Sequence, residues 1–580
     1  MDKYEILSPL LDKGDFENSA LEHQHILAQL LSHRGIEGKD TIDTFLNPDY
    51  ERDTHDPFLL KDMEKVVKRI LEAVSKGEKI VIYSDYDTDG IPGAVVLHDF
   101  FVKIGYTHFT NYIPHRNREG FGLNTAAIEG FIENKVSLLI TIDCGIANKE
   151  EVAYAMENGV DVIITDHHLP PQEVPPAYAI VNPKQTGCDY PFKDLCGAAV
   201  VYKVVQALLR EIQNKNFKIQ NEIPEGWEKW LLDMVGIATI SDMVPLVGEN
   251  RVFARYGLLV LRKSPRPGLQ HLLKITRTSQ KHLTETDVGF TIGPRINAAS
   301  RMDKPEDAFF LLSTKNLQDA GKYATHLDTI NNERKGLVAS MVKEAKKKIE
   351  MREEEGNPLG PVIVMGNPHW KPSLLGLVSN TLSETYKKPS FLWGREGSVS
   401  IKGSCRSDGV IHLVHLMNYV KEGVLTEFGG HAFSGGFSVA DDAIHYLEEA
   451  FIEAHTLLGP DDVIEKKTEI NAEISLDDLG WPFYDMLERL SPFGVGNEQP
   501  LFVIKNVFPE RVEVFGKQKN HLKLVLSSTG GKKITAISFF KTPDDYTALG
   551  KKNPLSLIVY VEKSTFGYSP EIRLRIVDIV

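Results

Sequence analysis

Three aspartates follow a short apolar run near the start of the chain. In KIVIYSDYDTDG, residues 79–90, the run leads into Asp85, Asp87 and Asp89 and then into a glycine. Carboxylates this close repel one another, and removing each of them from water is costly. A bound cation relieves both costs. The spacing therefore predicts a metal site where this run ends.

Similar groups follow three later apolar runs. VSLLITIDCG carries Asp143, VDVIITDHH ends on Asp166, His167 and His168, and MVGIATISDMVPL carries Asp242. Carboxylates with one imidazole form an oxygen-rich ligand set that suits Mg²⁺ or Mn²⁺, and the histidine favours Mn²⁺. The candidate metal ligands are Asp87, Asp89, Asp143, His167 and Asp242.

Five protein ligands exceed what one ion needs if it is to keep open positions. We therefore expect two ions about 3.5–4 Å apart, bridged by a carboxylate. Asp143 is the best candidate for the bridge because it is the only acid in its run. Two such ions clamp a phosphate and lower the pKa of a bound water, so the chemistry indicated is phosphodiester hydrolysis.

The pattern of residues 60–245 predicts the elements that position these groups. Residues 62–76 have helical apolar spacing, whereas KIVIYSD, VSLLITIDCG, VDVIITDHH and AYAIVNP have the composition of strands buried on both faces. Strands separated by helices predict a doubly wound α/β domain with a parallel sheet. Because ligands bind at the carboxyl ends of such strands, we expect the acid-bearing ends to meet at one edge.

The remainder of the chain predicts further domains. A charged helical pattern predicts a long connecting helix that stops at Gly and Pro, and a second, smaller α/β domain follows it. Five short strands after residue 500 predict a C-terminal OB-like β-barrel. The expected parts are an N-terminal segment 1–55, the first α/β domain 56–314, the connecting helix 315–355, the second α/β domain 356–458 and the OB-like domain 459–580.

Composition narrows the class of protein. The chain has 580 residues, 42% of them hydrophobic and 25% charged, and no apolar run near 18 residues, which predicts a multidomain protein without a membrane span. Four cysteines without a C-x-x-C pair argue against structural zinc and disulfides, and with no secretory signal at the start we expect a cytoplasmic location. The net charge of −14 disfavours nucleic acid, but residues 505–533 carry seven Lys/Arg against two Glu.

The motif order carries a family resemblance. D-x-D-x-D-G, the lone Asp of TIDCG, Asp-His-His and the Asp of SDMVPL resemble the DHH phosphoesterase superfamily. LCGAAVVYK, GFTIGPRINAASRM, KGSCRS, FGGHAFSGGFS and LSPFGVGNEQPLF are similar, in the same order, to segments of its RecJ family. The resemblance covers nearly the whole chain. It implies a DHH domain, a DHH-associated domain and a Mn²⁺- or Mg²⁺-dependent exonuclease that cuts single-stranded DNA from 5′ to 3′ in DNA repair and recombination.

The resemblance also assigns roles to single residues. It implies the same five metal ligands and adds catalytic neighbours: Asp85 and Asp166, which orient ligands or water, and His168, which faces the phosphate. The substrate-binding residues it implies are Arg295, Arg301, Arg406, Ser407 and His431. For the OB-like domain we expect DNA contacts from Arg511, Lys517, Lys519 and Lys523, with Phe508 and Phe515 among them as stacking residues.

Some residues depart from the family pattern, and two other functions are alternatives. Lys371, Ser373 and Asn380 stand where the family usually has a Trp-His-Pro-Gly motif and an arginine, which puts the substrate grip of the second domain in question. One alternative is a DHH phosphodiesterase of short oligonucleotides or cyclic dinucleotides. Another is a non-catalytic, Cdc45-like DNA-binding scaffold, although such scaffolds lose metal ligands. The expected partners are single-stranded DNA, a single-strand-binding protein and a helicase, with the chain as a monomer away from membranes.

Overall fold

The computed structural model describes residues 3–8, 23–214, 217–398, 400–464, 467–550, 553–565 and 569–580. The chain divides into two compact units. The smaller contains residues 1–54, 243–255 and 467–580, and the larger contains residues 55–242 and 256–466. Among the described residues, none of the helices combines the length and the apolar character needed to cross a membrane.

Strands and helices are numbered in chain order. The strands are β1 Tyr4–Ile6, β2 Ile80–Ser84, β3 Phe109–Tyr112, β4 Leu138–Ile142, β5 Asp161–Thr165, β6 Ala179–Val181, β7 Ile363–Asn367, β8 Ser390–Gly394, β9 Ile401–Arg406, β10 Leu425–Gly430, β11 Ser434–Val439, β12 Thr468–Ile470, β13 Ala472–Glu473, β14 Phe502–Val507, β15 Arg511–Phe515, β16 His521–Ser527, β17 Lys533–Ser538, β18 Leu555–Ser564 and β19 Glu571–Ile579. The helices are α1 Gln24–Ser32, α2 Lys39–Leu46, α3 Met63–Lys76, α4 Gly90–Ile104, α5 Thr125–Glu133, α6 Lys149–Glu157, α7 Gly197–Asn214, α8 Leu232–Ser241, α9 Gly248–Leu261, α10 Pro267–Ile275, α11 Glu285–Asp287, α12 Gly293–Met302, α13 Glu306–Ser313, α14 Leu317–Glu354, α15 Pro372–Tyr386, α16 Leu413–Asn418, α17 Leu447–Thr456 and α18 Trp481–Glu488.

The first domain of the larger unit is built on a parallel sheet, which confirms the predicted fold class. Its five strands lie in the order β3-β2-β4-β5-β6, and every neighbouring pair is parallel. Helices α5 and α6 pack on one face with the side chains of Tyr83 and Leu139. Helices α4 and α7 contact the sheet and each other. Strands β2 and β4 are fully buried, as their continuous apolar runs require.

The second domain of the larger unit is a mixed sheet with helices. Its strand order is β10-β11-β9-β8-β7, with β7 and β8 parallel and the other neighbours antiparallel. Helix α14, 38 residues long, connects the two domains, and the Asn316 side chain caps it by accepting from the N–H groups of Gln318 and Asp319. Helices α14 and α15 pack together, so this unit holds the connecting helix against the second sheet.

The smaller unit contains the C-terminal strands. Its main sheet has the order β13-β14-β18-β19-β17-β16-β15, and the five predicted strands correspond to β14 and β16–β19. Strand β15 was not among those five. Its residues alternate apolar and charged side chains and are largely exposed, as expected of an edge strand. Helices α1 and α2 share a hydrophobic core with this sheet through residues such as Leu30, Phe45 and Phe502. The N-terminal segment and the OB-like domain are therefore one packed body.

Candidate metal centre

The register of the parallel sheet brings three acids side by side. Ser84 pairs with Ile142, and Ile142 pairs with Thr165. The next residues therefore emerge from one edge at the same level, and their N–H groups continue the ladder, with Asp85 donating to Ile142 at 3.1 Å and Asp143 donating to Thr165 at 2.9 Å. Asp166 is the third acid of this row, and its N–H donates to the Val181 carbonyl at 3.1 Å.

The turn after β2 orients the first motif. Asp87 Oδ1 accepts from the N–H groups of Asp89 and Gly90, at 2.7 and 3.1 Å, and so begins α4. Glycine is required at position 90 because a Cβ atom there would lie 2.5 Å from the carbonyl oxygen of Asp85. The motif thus serves as a helix cap and as a source of metal ligands.

Helix α7 holds the third carboxylate of that motif. The two Asp89 oxygens accept from the N–H groups of Gly197 at 2.6 Å and Ala198 at 2.7 Å. A helix N-terminus favours the charged form of a carboxyl group, so α7 opposes the effect of burial on the pKa of Asp89 and fixes the orientation of its side chain. The LCGAAVVYK segment, which the sequence offered only as a resemblance, therefore has a role at the site.

Asp143 adopts a strained backbone at the centre of the row. Its φ is +60°, a left-handed conformation that non-glycine residues seldom adopt. Its Oδ1 is buried and has no hydrogen-bond donor, and a Cβ atom on Gly197 would lie 2.6 Å from the Asp143 Cβ. Strain of this kind concentrates at functional sites, and the bare oxygen is available to a cation.

Asp166 orients the side chain of His168. Its Oδ1 accepts from the N–H groups of His167 and His168 and lies 2.8 Å from the His168 Nδ1, while its Oδ2 accepts from the Ile146 N–H. Both carboxylate oxygens of Asp166 therefore have hydrogen-bond donors within the protein, and the carboxylate orients the His168 ring. That ring is about half exposed, and its edge contacts Phe121.

The donor atoms form two neighbouring groups, which are joined by a contact between His167 and Asp143. Nε2 of His167 lies 3.2 Å from Asp143 Oδ1, 3.6 Å from Asp242 Oδ2 and 3.7 Å from Asp89 Oδ2. Within each of three sets, the donor atoms lie within 4.8 Å of one another: Asp89, His167 and Asp242; Asp85, Asp87 and Asp143; and Asp143, His167 and His168. All five predicted ligands converge, and Asp85 stands with them as a donor.

The electrostatics of the cluster fit a cation. Burial and neighbouring carboxylates raise the pKa of Asp89 to about 7 and that of Asp242 to about 9, and they raise the pKa values of Asp85 and Asp143 well above the usual range. Burial lowers the pKa of His167 to about 3, which keeps the ring neutral, the form that binds a metal. Buried oxygens without donors and a neutral imidazole suit Mn²⁺ or Mg²⁺.

A group of arginines lies beside the acids in the same unit. We call Arg116, Arg301, Arg334 and Arg406 the arginine cluster. Burial and the positive charges of the other three lower the pKa of Arg301 to about 9, and Asp87 opposes them. Nη1 of Arg301 donates to the carbonyl of Ser373 at 2.7 Å, which ties α12 to α15. Concentrated guanidinium groups favour a phosphate, which they bind through paired hydrogen bonds.

Two members of the cluster were not predicted. Arg116 stacks over the Tyr86 ring, 5.0 Å from its centroid, beside the first acidic motif. Arg334 and Arg406 line a cavity of about 530 Å³ between α14 and α15, and Arg334 Nε is buried without an acceptor. Arg116 lies in YIPHRNREGFGL, a segment with two arginines and a histidine, so only its composition could have indicated it.

The structure corrects the prediction for Arg295. Its Nε and Nη2 contact Asp328 Oδ1 at 2.9 and 2.8 Å, and its Nη1 donates to the Thr291 carbonyl at 2.7 Å. The guanidinium is buried and its hydrogen-bonding fork is taken up within the protein. Arg295 therefore fastens α12 to α14 and does not present its fork to a phosphate.

The predicted clamp in the second domain is only partly assembled. Ser407 Oγ donates to the Ile411 carbonyl at 2.6 Å and so holds a turn, and His431 is exposed after β10. Of the departures from the family, Ser373 Oγ donates to the Arg301 carbonyl at 2.9 Å, while exposed Asn380 contacts Glu384 at 2.8 Å. The second domain thus contributes Arg406 to the arginine cluster, and Ser373 contacts the cluster through Arg301.

The predicted basic residues of the OB-like domain fall into two kinds. Arg511, Lys517 and Lys519 are exposed. Lys523 pairs with Glu513 at 3.0 Å across β15 and β16, and its charge is neutralised there. Positive charge therefore remains at Arg511 and at the turn between these strands, where Lys517 and Lys519 lie.

Comparison with known proteins identifies all three domains. Residues 79–239 match the N-terminal domain of the DHH family, residues 359–456 match the DHHA1 domain, and residues 470–578 match the RecJ OB domain. The chain is 35% identical to the single-stranded-DNA-specific exonuclease RecJ of Bacillus subtilis over 527 residues, which cover 90% of this chain and 64% of that protein. It therefore spans slightly less than two thirds of that relative.

Solved structures agree with these matches. The crystal structure of RecJ in complex with Mn²⁺ from Thermus thermophilus matches with a TM-score of 0.78 at 25% identity, covering 100% of this chain and 79% of that one. A crystal structure of exonuclease RecJ bound to manganese matches with a TM-score of 0.57 at 30% identity, covering 70% of this chain and 96% of that one.

Proposed function

Because the chain belongs to the RecJ family of DHH-domain proteins, we propose that it is a metal-dependent exonuclease of single-stranded DNA. It hydrolyses phosphodiester bonds from the 5′ end, in DNA repair and recombination. The observation that carries the proposal is the convergence of two donor groups through Asp143 and His167, whose Oδ1 and Nε2 lie 3.2 Å apart.

The ligand set divides naturally between two ions. Asp89, His167 and Asp242 would hold one Mn²⁺ or Mg²⁺, Asp85 and Asp87 would hold the other, and Asp143 would contact both. When bound, the ions supply Lewis acidity toward a phosphate and lower the pKa of a bound water. In this proposal Asp85 is a metal ligand, and not the orienting neighbour that the resemblance implies.

His168 is suited to carry a proton at the reacting phosphate. Burial opposes its charged form, but the hydrogen bond to Asp166 and the nearby carboxylates raise the pKa of His168 above its usual value. Because Nδ1 is engaged by Asp166 at 2.8 Å, the ring offers Nε2 to a substrate. A protonated Nε2 donates to a phosphate oxygen or to the leaving oxygen.

The arginine cluster would hold the DNA end. Four guanidinium groups offer more positive charge than one phosphodiester carries, so the cluster favours a strand end with a terminal phosphate, which has a second negative charge. A terminal phosphate at either end would fit this charge, so the 5′ polarity of the proposal comes from the family.

Neither alternative function gains support from a specific observation. A phosphodiesterase of very short substrates has no need of a domain that matches the RecJ OB domain over residues 470–578. A non-catalytic scaffold has no need of five converging ligands. A single-strand-binding protein and a helicase remain the expected partners, with the chain acting as a monomer in the cytoplasm.

The test uses single strands of DNA and RNA labelled at the 5′ or the 3′ end. With Mn²⁺, the proposal predicts that the 5′ label is released first, from DNA in preference to RNA, and from a 5′-phosphorylated strand faster than from a 5′-hydroxyl strand. Release of the 3′ label first would contradict the polarity. Absence of metal-dependent hydrolysis of any strand would contradict the enzyme assignment.

A further inference from the structure

Phe121 is an exposed aromatic residue beside the candidate metal centre. It is 52% exposed, whereas its neighbour Leu123 is buried in the hydrophobic core beneath the loop. The Phe121 ring contacts the His168 ring, with centroids 5.6 Å apart and an angle of 74° between the planes. Single exposed apolar residues are common on protein surfaces. The position of Phe121 next to His168, and not its exposure alone, therefore indicates a ligand.

Hydrogen bonds anchor the loop that carries Phe121, which joins β3 to α5. The Glu119 carboxylate accepts from the Tyr112 hydroxyl, from Asn124 Nδ2 at 3.1 Å and from the His115 N–H at 2.6 Å. These donors lie at the start, the middle and the end of the loop. A single carboxylate therefore ties the loop together directly before Phe121.

Glycines on both sides of Phe121 fix the direction of its side chain. Gly120 and Gly122 have φ angles of +83° and +84°, and a Cβ atom on Gly122 would lie 2.5 Å from Asn148 Oδ1. The Tyr83 hydroxyl donates to the Gly122 carbonyl at 2.8 Å. The backbone thus turns on either side of Phe121 and holds its ring beside the metal centre. A ring that is already fixed loses little conformational freedom when a ligand stacks on it.

The same loop carries Arg116 of the arginine cluster. Arg116 lies over the Tyr86 ring, 5.0 Å from its centroid, and its positive charge opposes the rise in the pKa of Asp85. One anchored loop therefore brings a guanidinium group to the arginine cluster and an aromatic ring to His168. A guanidinium group binds a phosphate, and an aromatic ring stacks on a base. These are the two parts of a nucleotide.

We propose that Phe121 stacks on a base that flanks the bond to be cleaved, and so positions that bond at the metal centre. The inference rests on the proposed function, in which His168 faces the reacting phosphate. Because Phe121 contacts His168, its exposed surface reaches a nucleotide joined to that phosphate and not a distant one. Every base has a π face, so stacking makes cleavage depend on the presence of a base but not on its identity.

The first test removes one base from the substrate. Single strands carry an abasic nucleotide at the first, second or sixth position from the end where cleavage starts, and the single-turnover rate of the first cleavage is measured with Mn²⁺. The first and second nucleotides flank the first bond to be cleaved. We expect the loss of one of these two bases to slow the wild type about tenfold, and the loss of the sixth to have little effect. Equal rates for all strands would overturn the proposal.

The second test assigns this base dependence to Phe121. Phe121→Ala should cleave the intact strand about tenfold more slowly and the abasic strand at the rate of the wild type, whereas Phe121→Tyr keeps a ring and should keep the base dependence. If Phe121 only supported the His168 ring, Phe121→Ala would slow both strands by the same factor, and the proposal would be wrong.

Leu169→Ala is the matched control. Leu169 follows His168 directly and is 78% exposed, but it has no ring. This variant should slow the intact strand little and should remain as sensitive to the missing base as the wild type. If Leu169→Ala lost the base dependence to the same extent as Phe121→Ala, the assignment to Phe121 would be wrong.

A fluorescent adenine analogue detects the stacked base without hydrolysis. The analogue, whose emission is quenched by stacking, occupies the first or the second position of a strand that is bound in EDTA by saturating protein. We expect the wild type and Phe121→Tyr to quench it at one of these positions and Phe121→Ala to quench it less. Emission that is the same with Phe121→Ala as with the wild type would overturn the proposal.

The rates also separate this inference from the proposed function. If the wild type cleaves single strands but is insensitive to the missing bases, only the role of Phe121 is wrong. If the wild type cleaves no single strand, the proposed function itself is wrong. Circular dichroism verifies the fold of each variant.

Discussion

His167 Nε2 lies 3.2 Å from Asp143 Oδ1, and this contact joins two groups of acidic donors. His167 belongs to the group with Asp89 and Asp242, whereas Asp143 belongs to the group with Asp85 and Asp87. Asp143 also has a left-handed backbone that only its surroundings can hold. The Asp143 carboxylate therefore joins the two groups of donors that we propose as ion sites.

Replacing Asp143 should abolish hydrolysis without unfolding the protein. Asp143→Asn keeps the shape of the side chain, and asparagine tolerates a left-handed backbone. The loss in turnover should exceed the roughly 10–100-fold typical of a group that only supports a metal ligand. The metal-free variant should melt at the same temperature or higher, because a buried repulsive charge has been removed. Near-wild-type turnover at saturating Mn²⁺ would contradict the bridging role.

The metal-free protein should lose stability as the pH rises from about 6.5 to 9. The pKa values of Asp89, about 7, and Asp242, about 9, are raised in the folded state. A carboxyl group with a raised folded pKa binds more protons when folded, so its stabilisation at low pH disappears as the pH rises through that value. Below its folded pKa each group can contribute a slope of about 1.4 kcal/mol per pH unit, so Asp242 contributes over most of this range and Asp89 only near its lower end.

Thermal melting in EDTA and in Mn²⁺ measures this effect. The lowered pKa of His167 affects the stability only below about pH 6.5, which is outside this range. The melting temperature should fall with pH in EDTA, fall less steeply for Asp242→Asn, and fall little in Mn²⁺, which replaces the bound protons. A flat profile in EDTA would contradict the raised pKa values of these carboxyl groups.

Metal identity should decide activity. A set of carboxylates with one imidazole should support hydrolysis with Mn²⁺ and more weakly with Mg²⁺, since the histidine favours the former. Ca²⁺ should bind without supporting cleavage, because it polarises water poorly. Rates with each ion after chelation and dialysis test this prediction. Full activity without any added ion would argue against metal-assisted hydrolysis.

Substitutions of the two arginines in GPRINAASRM should have different effects. Arg301→Gln should weaken use of a 5′-phosphorylated strand about 10–100-fold, as expected when a charged hydrogen bond to phosphate is lost, and should affect a 5′-hydroxyl strand less. Arg295→Gln should instead destabilise the fold by roughly 1–3 kcal/mol, because Asp328 loses its partner. Steady-state kinetics and urea unfolding separate the two. If Arg301→Gln destabilised the fold and Arg295→Gln weakened use of the phosphorylated strand, the roles assigned to the two arginines would be reversed.

The salt dependence of DNA binding should depend on the turn lysines. Lys517→Gln/Lys519→Gln should reduce the slope of log affinity against log salt by about 1.4, since each phosphate contact on a single strand contributes about 0.7. Lys523→Gln, whose lysine pairs with Glu513, is the control and should change the slope little. Equal slopes for all three proteins would mean that the turn does not contact DNA. Point variants are preferable to deleting the domain, because α1 and α2 share its core.

The sequence predicted which acidic side chains would lie together because a parallel sheet imposes strong local rules. Each of β2, β4 and β5 is an apolar run that stops immediately before an acid, and the register aligns those acids. The run before Asp242 is different, because it forms helix α8. A short buried run does not reveal whether it is a strand or a helix, yet it still places an acid at the end of the element.

What the sequence could not indicate depends on distant partners. Arg295 and Arg301 lie on the same helix, but only the fold shows that Asp328 of α14 captures the first and that Arg116, Arg334 and Arg406 surround the second. The contact between the rings of His521 and Phe540 was likewise hidden, because the two meet only once β16 and β17 pair. Partner choice across such sequence separations is set by packing and not by local pattern.

The number of Mn²⁺ ions bound to each chain tests whether two ions share the Asp143 carboxylate. Isothermal titration of the metal-free protein measures both the number of ions per chain and their affinities. We expect two ions for the wild type and weaker binding at both sites for Asp143→Asn, because one carboxylate serves both. A wild type that binds a single ion or none, or an Asp143→Asn variant that binds two ions as tightly as the wild type, would contradict it.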